Sequence, residues 1–253
     1  MSPFFVLIRK ETYRFLTVPV QTIFGPMVTA FLYQLIFGSQ FQHAQGSNVG
    51  FEYNTFLVPG LVMLQVLSNS FANSSSSIIQ SKYTGNLVFI LMAPLTAIEL
   101  YGAYLISSII RGILSGMAVF ICIAWFGNLT WPHSWATVCY FLIFGSAITG
   151  GLGVIAGILS TKFDHLAASQ TFVFTPLVYL AGVFYNVDNI KIPSLQIIAK
   201  LDPFLYVVDG FRHGLIHSFN SDVVFSIWFV GLFAVLINFI GYLLMRSGVN
   251  MKH

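Results

Sequence analysis

The chain has 253 residues, of which 57% are hydrophobic and 8% charged, with a mean hydropathy of +0.82. A soluble domain carries roughly 25% charged residues, so water is excluded as the main solvent. The net charge of +3 is too small and too dispersed for a nucleic-acid surface.

Residues 3–17 predict a helix lying in the membrane interface, with Phe4, Ile8 and Phe15 on one face and Lys10 and Arg14 elsewhere. The apolar run that follows, Pro19 to Gly38, is too long for the h-region of a signal peptide, and no small-residue cleavage site follows it. It reads as an uncleaved first span over 19–38. Five more runs are long enough for the roughly 20 residues that a bilayer crossing needs. They cover 55–79, 98–126, 135–159, 168–187 and 223–245. The expected fold is therefore all-α, with six transmembrane helices in a single transmembrane domain over residues 1–253.

Basic residues orient this arrangement. With both termini cytoplasmic, Arg9, Lys10, Arg14, Lys82, Lys162, Arg246 and Lys252 fall inside, and Lys191, Lys200 and Arg212 outside. Arg111 lies within the third span, where snorkelling or bonds to carbonyls of a neighbouring helix would hold it; a pathway or gating role stays open. Glu99 is twelve residues away on the same helix, about 18 Å at ~1.5 Å per residue, too far to pair. Cys122 and Cys139 fall in apolar runs and read as small buried hydrophobes. Gly112-Ile-Leu-Ser-Gly116 and Gly153-Val-Ile-Ala-Gly157 predict close helix approach, within one bundle or at a dimer seam.

Two connecting segments are more than simple loops. Between the second and third spans, Gln80 to Pro94 begins polar and turns apolar from Leu87 to Ala93. Asn86 is placed to cap a short helix that Pro94 ends. An apolar helix outside a span must lie in the interface or dock into a partner's groove. On the other side, 188–222 is too broken by charge to span. Asp202-Pro203 predicts an N-cap and first turn. A helix from Pro203 sets Phe204, Val207, Val208, Phe211 and Leu215 on one side. Two short helices dipping back from the outer surface are expected, covered by protein or lining a cavity.

The phosphate-loop pattern that would hold ATP is missing, as are zinc-type His and Cys spacings. His213 and His217 are four apart but lack a third ligand, and Asn128-Leu-Thr130 is discounted as a chance glycosylation match. Carboxylates, which ion-coupled transport would need, are nearly absent from the apolar runs, with Glu99 near the inner start of the third. The chain has a bundle without a visible energy source.

The segments Phe174-Thr-Pro-Leu-Val-Tyr-Leu-Ala-Gly-Val-Phe-Tyr185 and Asp202-Pro-Phe-Leu-Tyr-Val-Val-Asp-Gly-Phe-Arg212 resemble the signature of the type-2 ABC-transporter permease family. Phe56-Leu-Val-Pro-Gly-Leu61 and Met92-Ala-Pro94 are similar to its drug and polysaccharide exporters. The resemblance implies a bacterial inner-membrane subunit that pairs with a second permease copy and with two separate ABC ATPase subunits. This chain would bind no cofactor, and ATP and Mg would sit on the partner. It implies that the inner segment, with Leu87, Phe89, Leu91, Met92 and Pro94, is a coupling helix docked on the ATPase. It also implies that Pro203, Phe204, Tyr206 and Arg212 belong to re-entrant outer helices; if these gate the exit, Arg212→Ala should impair transport more than assembly. Relatives often carry acidic residues where this chain has Val88 and Phe89. The expected function is ATP-driven export of an amphipathic substrate, such as a drug, lipid or lipid-linked polysaccharide. The alternatives are a partner-independent secondary transporter or a membrane scaffold, and no catalytic pair suggests an enzyme.

Overall fold

A computed structural model describes residues 2–44, 53–126, 132–216 and 222–250. Among these residues the regular structure is helical throughout. The Asn128–Thr130 tripeptide and His217 lie outside the described residues.

Helix α1 (Pro3–Leu16) starts with proline in its first turn, where a missing N–H costs nothing. After Pro19, a π-helical turn (Val20–Phe24) leads into α2 (Gly25–Ala44). Helix α3 (Tyr53–Tyr83) is 31 residues long, about 46 Å at ~1.5 Å per residue. A short helix α4 (Asn86–Met92) follows, then α5 (Ala97–Phe126) and α6 (Trp135–Leu159). Helix α7 (Phe163–Ser169), a π-helical stretch (Gln170–Phe174) and α8 (Thr175–Leu180) run on without a break. Beyond them lie α9 (Pro193–Leu201), α10 (Pro203–Leu215) and α11 (Val223–Ser247).

Among the described residues, five helical stretches are long and apolar enough to cross a membrane: Val20–Phe37, Thr55–Tyr83, Ala97–Ala124, Trp135–Leu159 and Val223–Ser247. The span expected over 168–187 is different in form. Its helix runs from Phe163 to Leu180 in three pieces and turns at Gly182, whose φ of +68° only glycine adopts easily.

Helix α3 is the buried centre. From Leu57 to Leu67 it presents a row of apolar side chains that meets α6, α10 and the α8 end in the larger core. Its glycine-bearing neighbours explain how it fits. A Cβ on Gly112 of α5 would strike Ser70 Oγ, and one on Gly153 of α6 would strike the Phe71 carbonyl oxygen. Both glycine pairs therefore serve packing inside this bundle. A second core gathers Leu7, Ile78, Leu87, Leu100, Tyr104, Val154 and Ile158 at the α4 end.

Ends are closed by specific residues. Thr96 and Glu99 form a capping box on α5: the Thr96 amide donates to Glu99 Oε2 at 2.8 Å, and the Glu99 amide to Thr96 Oγ1 at 3.4 Å. Lys82 Nζ donates to the carbonyls of Gly157, Ile158 and Ser160, closing the C-terminus of α6. Gly248 in the left-handed region ends α11. The outward faces of α2 and α11 are apolar, with Val224, Trp228, Leu232, Val235 and Phe239 exposed, as lipid would favour.

Three expectations change. Asn86 does not cap α4; it is the first helical residue, and Gly85 at φ 72° occupies the cap position. Cys139 is exposed and Cys122 only partly buried, because each sits on an outward helix face. On α1, Leu7, Glu11 and Phe15 are buried with Phe4 and Ile8 packed beside the core, so the helix seats on the bundle and Arg14 reaches α3 instead of lying in the interface.

Candidate functional site

Three places combine unusual exposure or burial with specific chemistry. The first is α4. Gly85 reverses the chain after α3, and Ala93 takes an extended conformation before Pro94, as a pre-proline residue must. Seven residues are thereby isolated as a separate helix. Leu87 is 3% exposed and anchors it in the second core. Ile90 packs partly against the same core, while four other apolar side chains turn outward: Val88 is 54% exposed, Phe89 73%, Leu91 43% and Met92 76%. Among the described residues none covers this face, which lies at the end where Lys82 and α1 also sit.

The second place is the corner built by α9 and α10. Asp202 Oδ1 accepts the Phe204 amide at 2.9 Å, and Pro203 fills the first turn. Burial pushes the Asp202 carboxyl up to about 7, against the smaller opposing pull of that amide. The face of α10 that carries Phe204, Val207, Val208, Phe211 and Leu215 enters the larger core. Tyr206 donates to the Lys200 carbonyl at 2.8 Å, and its ring packs on Phe225 and Phe229.

Arg212 ties this corner to the rest. Only 1% exposed, it donates to the Phe56 carbonyl at 3.2 Å, to the Gly182 and Val183 carbonyls at 2.8 and 2.9 Å, and to Asp209 at 2.9 Å. The guanidinium also lies 3.7 Å over the Phe56 ring. Burial raises the Asp209 carboxyl, and the Arg212 charge partly offsets that. Gly60 is required alongside, since a Cβ there would lie 2.9 Å from the guanidinium and 2.6 Å from the Val183 oxygen.

The third place was not anticipated. A polar seam runs through α3, from Gln65 and Asn69 to Ser77, and faces Ser107, Ser108 and Arg111 of α5. Arg111 is 8% exposed and reaches Asn69 Oδ1 at 3.4 Å, a side-chain partner in place of the expected carbonyls. Glu11 is fully buried against the seam and accepts from Lys10 at 2.7 Å, Arg14 at 3.1 Å and Ser77. Arg14 continues to the Asn73 carbonyl at 2.9 Å. One signal was available beforehand: Glu11 stands four residues from both Leu7 and Phe15, on one helical stripe.

Of these places, α4 alone presents a run of exposed apolar side chains on a separate short helix. The model of the family described as ABC-2 type transporter matches residues 2–216. The chain belongs to the ABC-2 type transporter family. An inner membrane transport permease of Escherichia coli K12, YadH, is 32% identical over 243 residues, covering 96% of this chain and 94% of the relative. Nodulation protein J of Neorhizobium galegae is 22% identical over 226 residues, covering 89% and 86%. Nodulation protein J of Bradyrhizobium diazoefficiens is 22% identical over 198 residues, covering 78% and 75%. This ABC-2 chain is thus a multi-pass inner-membrane transport permease subunit. The family match takes in all three places described above and ends at Ile216, before α11.

Proposed function

We propose that this chain is the membrane half of an ATP-driven exporter, working as a homodimer with two copies of a separate ABC ATPase. The ATP and Mg would be held by that partner, and this chain would carry no cofactor. The observation that supports this reading best is α4: a short helix anchored by Leu87 that holds Val88, Phe89, Leu91 and Met92 out of the bundle. Apolar side chains held rigidly away from the core are what a partner's groove selects. Phe89, Leu91 and Met92 make the contact, while Leu87 and Pro94 fix the helix that presents them.

In this reading the Phe163–Leu180 helix is a further span, for six in all over one permease domain. The α9–α10 corner re-enters from the outer face, and both termini are cytoplasmic. The same orientation puts Lys10, Arg14, Lys82, Lys162 and Arg246 on the ATPase side, in keeping with the cytoplasmic bias of basic residues. The transported molecule is amphipathic.

The test replaces Leu91 and Met92 by Asp and isolates the tagged protein in detergent. An ABC ATPase is expected to co-purify with wild type at about equal copy number and to be lost from the double variant, which still elutes as a folded species. Undiminished ATPase on the variant would overturn the docking role. A wild-type chain that carries substrate with no ATPase bound would favour a partner-independent transporter.

A further inference from the structure

A cavity of about 600 Å³ opens between the end of α1, the π turn before α2, α3, α5 and the α7 region. That volume suits a small organic ligand and far exceeds the ~30 Å³ that one water occupies. Two arginines line it, Arg14 and Arg111, and among the described residues no carboxylate does. The nearest acid, Glu11, lies outside the lining and is already engaged by Lys10, Arg14 and Ser77.

Arg111 is the less satisfied of the pair. Among the described residues its one hydrogen bond, to Asn69, is long at 3.4 Å, and its buried Nε meets no partner. Among the described residues, no carboxylate oxygen lies within 4.0 Å of it. A guanidinium has five N–H donors in a planar fork that matches carboxylate and phosphate oxygens. Leaving it largely unmet in a membrane protein is costly, and such charges are rarely retained without a role. Gln21 and Gln170 add amide donors at the rim, while Phe15, Val18 and Leu166 give the cavity an apolar side.

From this combination we infer that the cavity binds an oxyanion of the phosphate type, with Arg111 and Arg14 as its cationic clamp. The apolar side favours a phosphate carried on a lipid-like molecule over the free ion. Binding here is a property of the permease by itself and holds whether or not an ATPase docks on α4.

The experiment is equilibrium binding to the purified, detergent-solubilised chain. The probes are short-chain phosphatidic acid, inorganic phosphate, and the matching diacylglycerol, which lacks the phosphate. Wild type is expected to bind phosphatidic acid saturably and diacylglycerol not at all. Tighter binding of phosphatidic acid than of inorganic phosphate assigns the site to a lipid headgroup. Equal affinity assigns it to the free ion, and in both cases the oxyanion site stands. Arg111→Gln is expected to weaken binding at least about tenfold, as loss of a charge-assisted contact implies, and Arg111→Lys to restore most of it. Gln170→Leu, which removes a second polar group from the lining, gives an independent loss if Arg111→Gln does not fold. Absence of saturable binding by both phosphate probes, or wild-type affinity in Arg111→Gln and Gln170→Leu, would overturn the site.

Discussion

Arg212 donates from all three guanidinium nitrogens into a buried corner, joining Phe56, Gly182, Val183 and Asp209. These bonds hold the corner together, so an alanine variant loosens it. Arg212→Ala should lower stability by about 3–5 kcal/mol, because Asp209 and three carbonyls lose their partner; thermal unfolding in detergent measures it. Arg212→Lys should recover only part, since one ammonium cannot reproduce the fork. Asp202 gives a pH signature at the same corner. Its folded value of about 7 lies above the ordinary 3.8, so the folded protein binds the proton more tightly than the unfolded chain. The stabilisation is complete below about pH 4 and is lost as pH rises through about 7. Asp202→Asn keeps an oxygen to accept the Phe204 amide and should flatten the stability profile over that window. An unchanged slope in thermal unfolding across those pH values would remove Asp202 as its source.

At the scale of elements, the glycine pairs and Lys82 set how closely α5 and α6 meet α3. Gly153→Leu should cost at least the ~1–3 kcal/mol typical of overpacking, because the Phe71 carbonyl leaves no room for a side chain. Lys82→Met leaves three carbonyls at the end of α6 without their donor and should cost about 1–3 kcal/mol. Both are read as yield and midpoint shift of the solubilised protein. Much at this scale was legible beforehand. Asp202-Pro203 is a start signal whose mechanism is local, so α10 begins where it was expected. Pro94 likewise ends α4 through the residue before it. The polar seam was not legible in the same way. The apolar residues Phe4, Ile8 and Phe15 define one face of α1 and leave Arg14 off it, and they say nothing of where Glu11 goes. Only the tertiary partners Ser77 and Asn73, more than 55 positions away, turn them inward. The α7–α8 helix was misjudged at its end for a similar reason: the stop at Gly182 depends on a left-handed conformation that Leu205 and Val187 pack around.

For the whole molecule, the topology itself can be tested. With six spans and both termini inside, a cysteine at Asp188 should react with a membrane-impermeant maleimide in intact cells, in a background lacking Cys122 and Cys139. Cysteines at Thr84 and Asn250 should react only after permeabilisation. Labelling of 84 and 250 from opposite sides would show an odd number of crossings between them and remove the Phe163–Leu180 helix as a span. The length of α3 bears on how such a bundle moves. One end is pinned by Arg212 at Phe56, and the other carries Lys82 and, two residues past its last turn, the exposed helix α4. A tug applied to α4 therefore has a stiff rod of about 46 Å to act through, with its far fastening already in place. Pro59 interrupts the hydrogen-bond ladder one turn from that fastening. Pro59 thus gives this rod a point of compliance beside the Arg212 corner, and if α4 docks on a partner as proposed, a displacement imposed there would emerge at the far end as a change of angle more than of length.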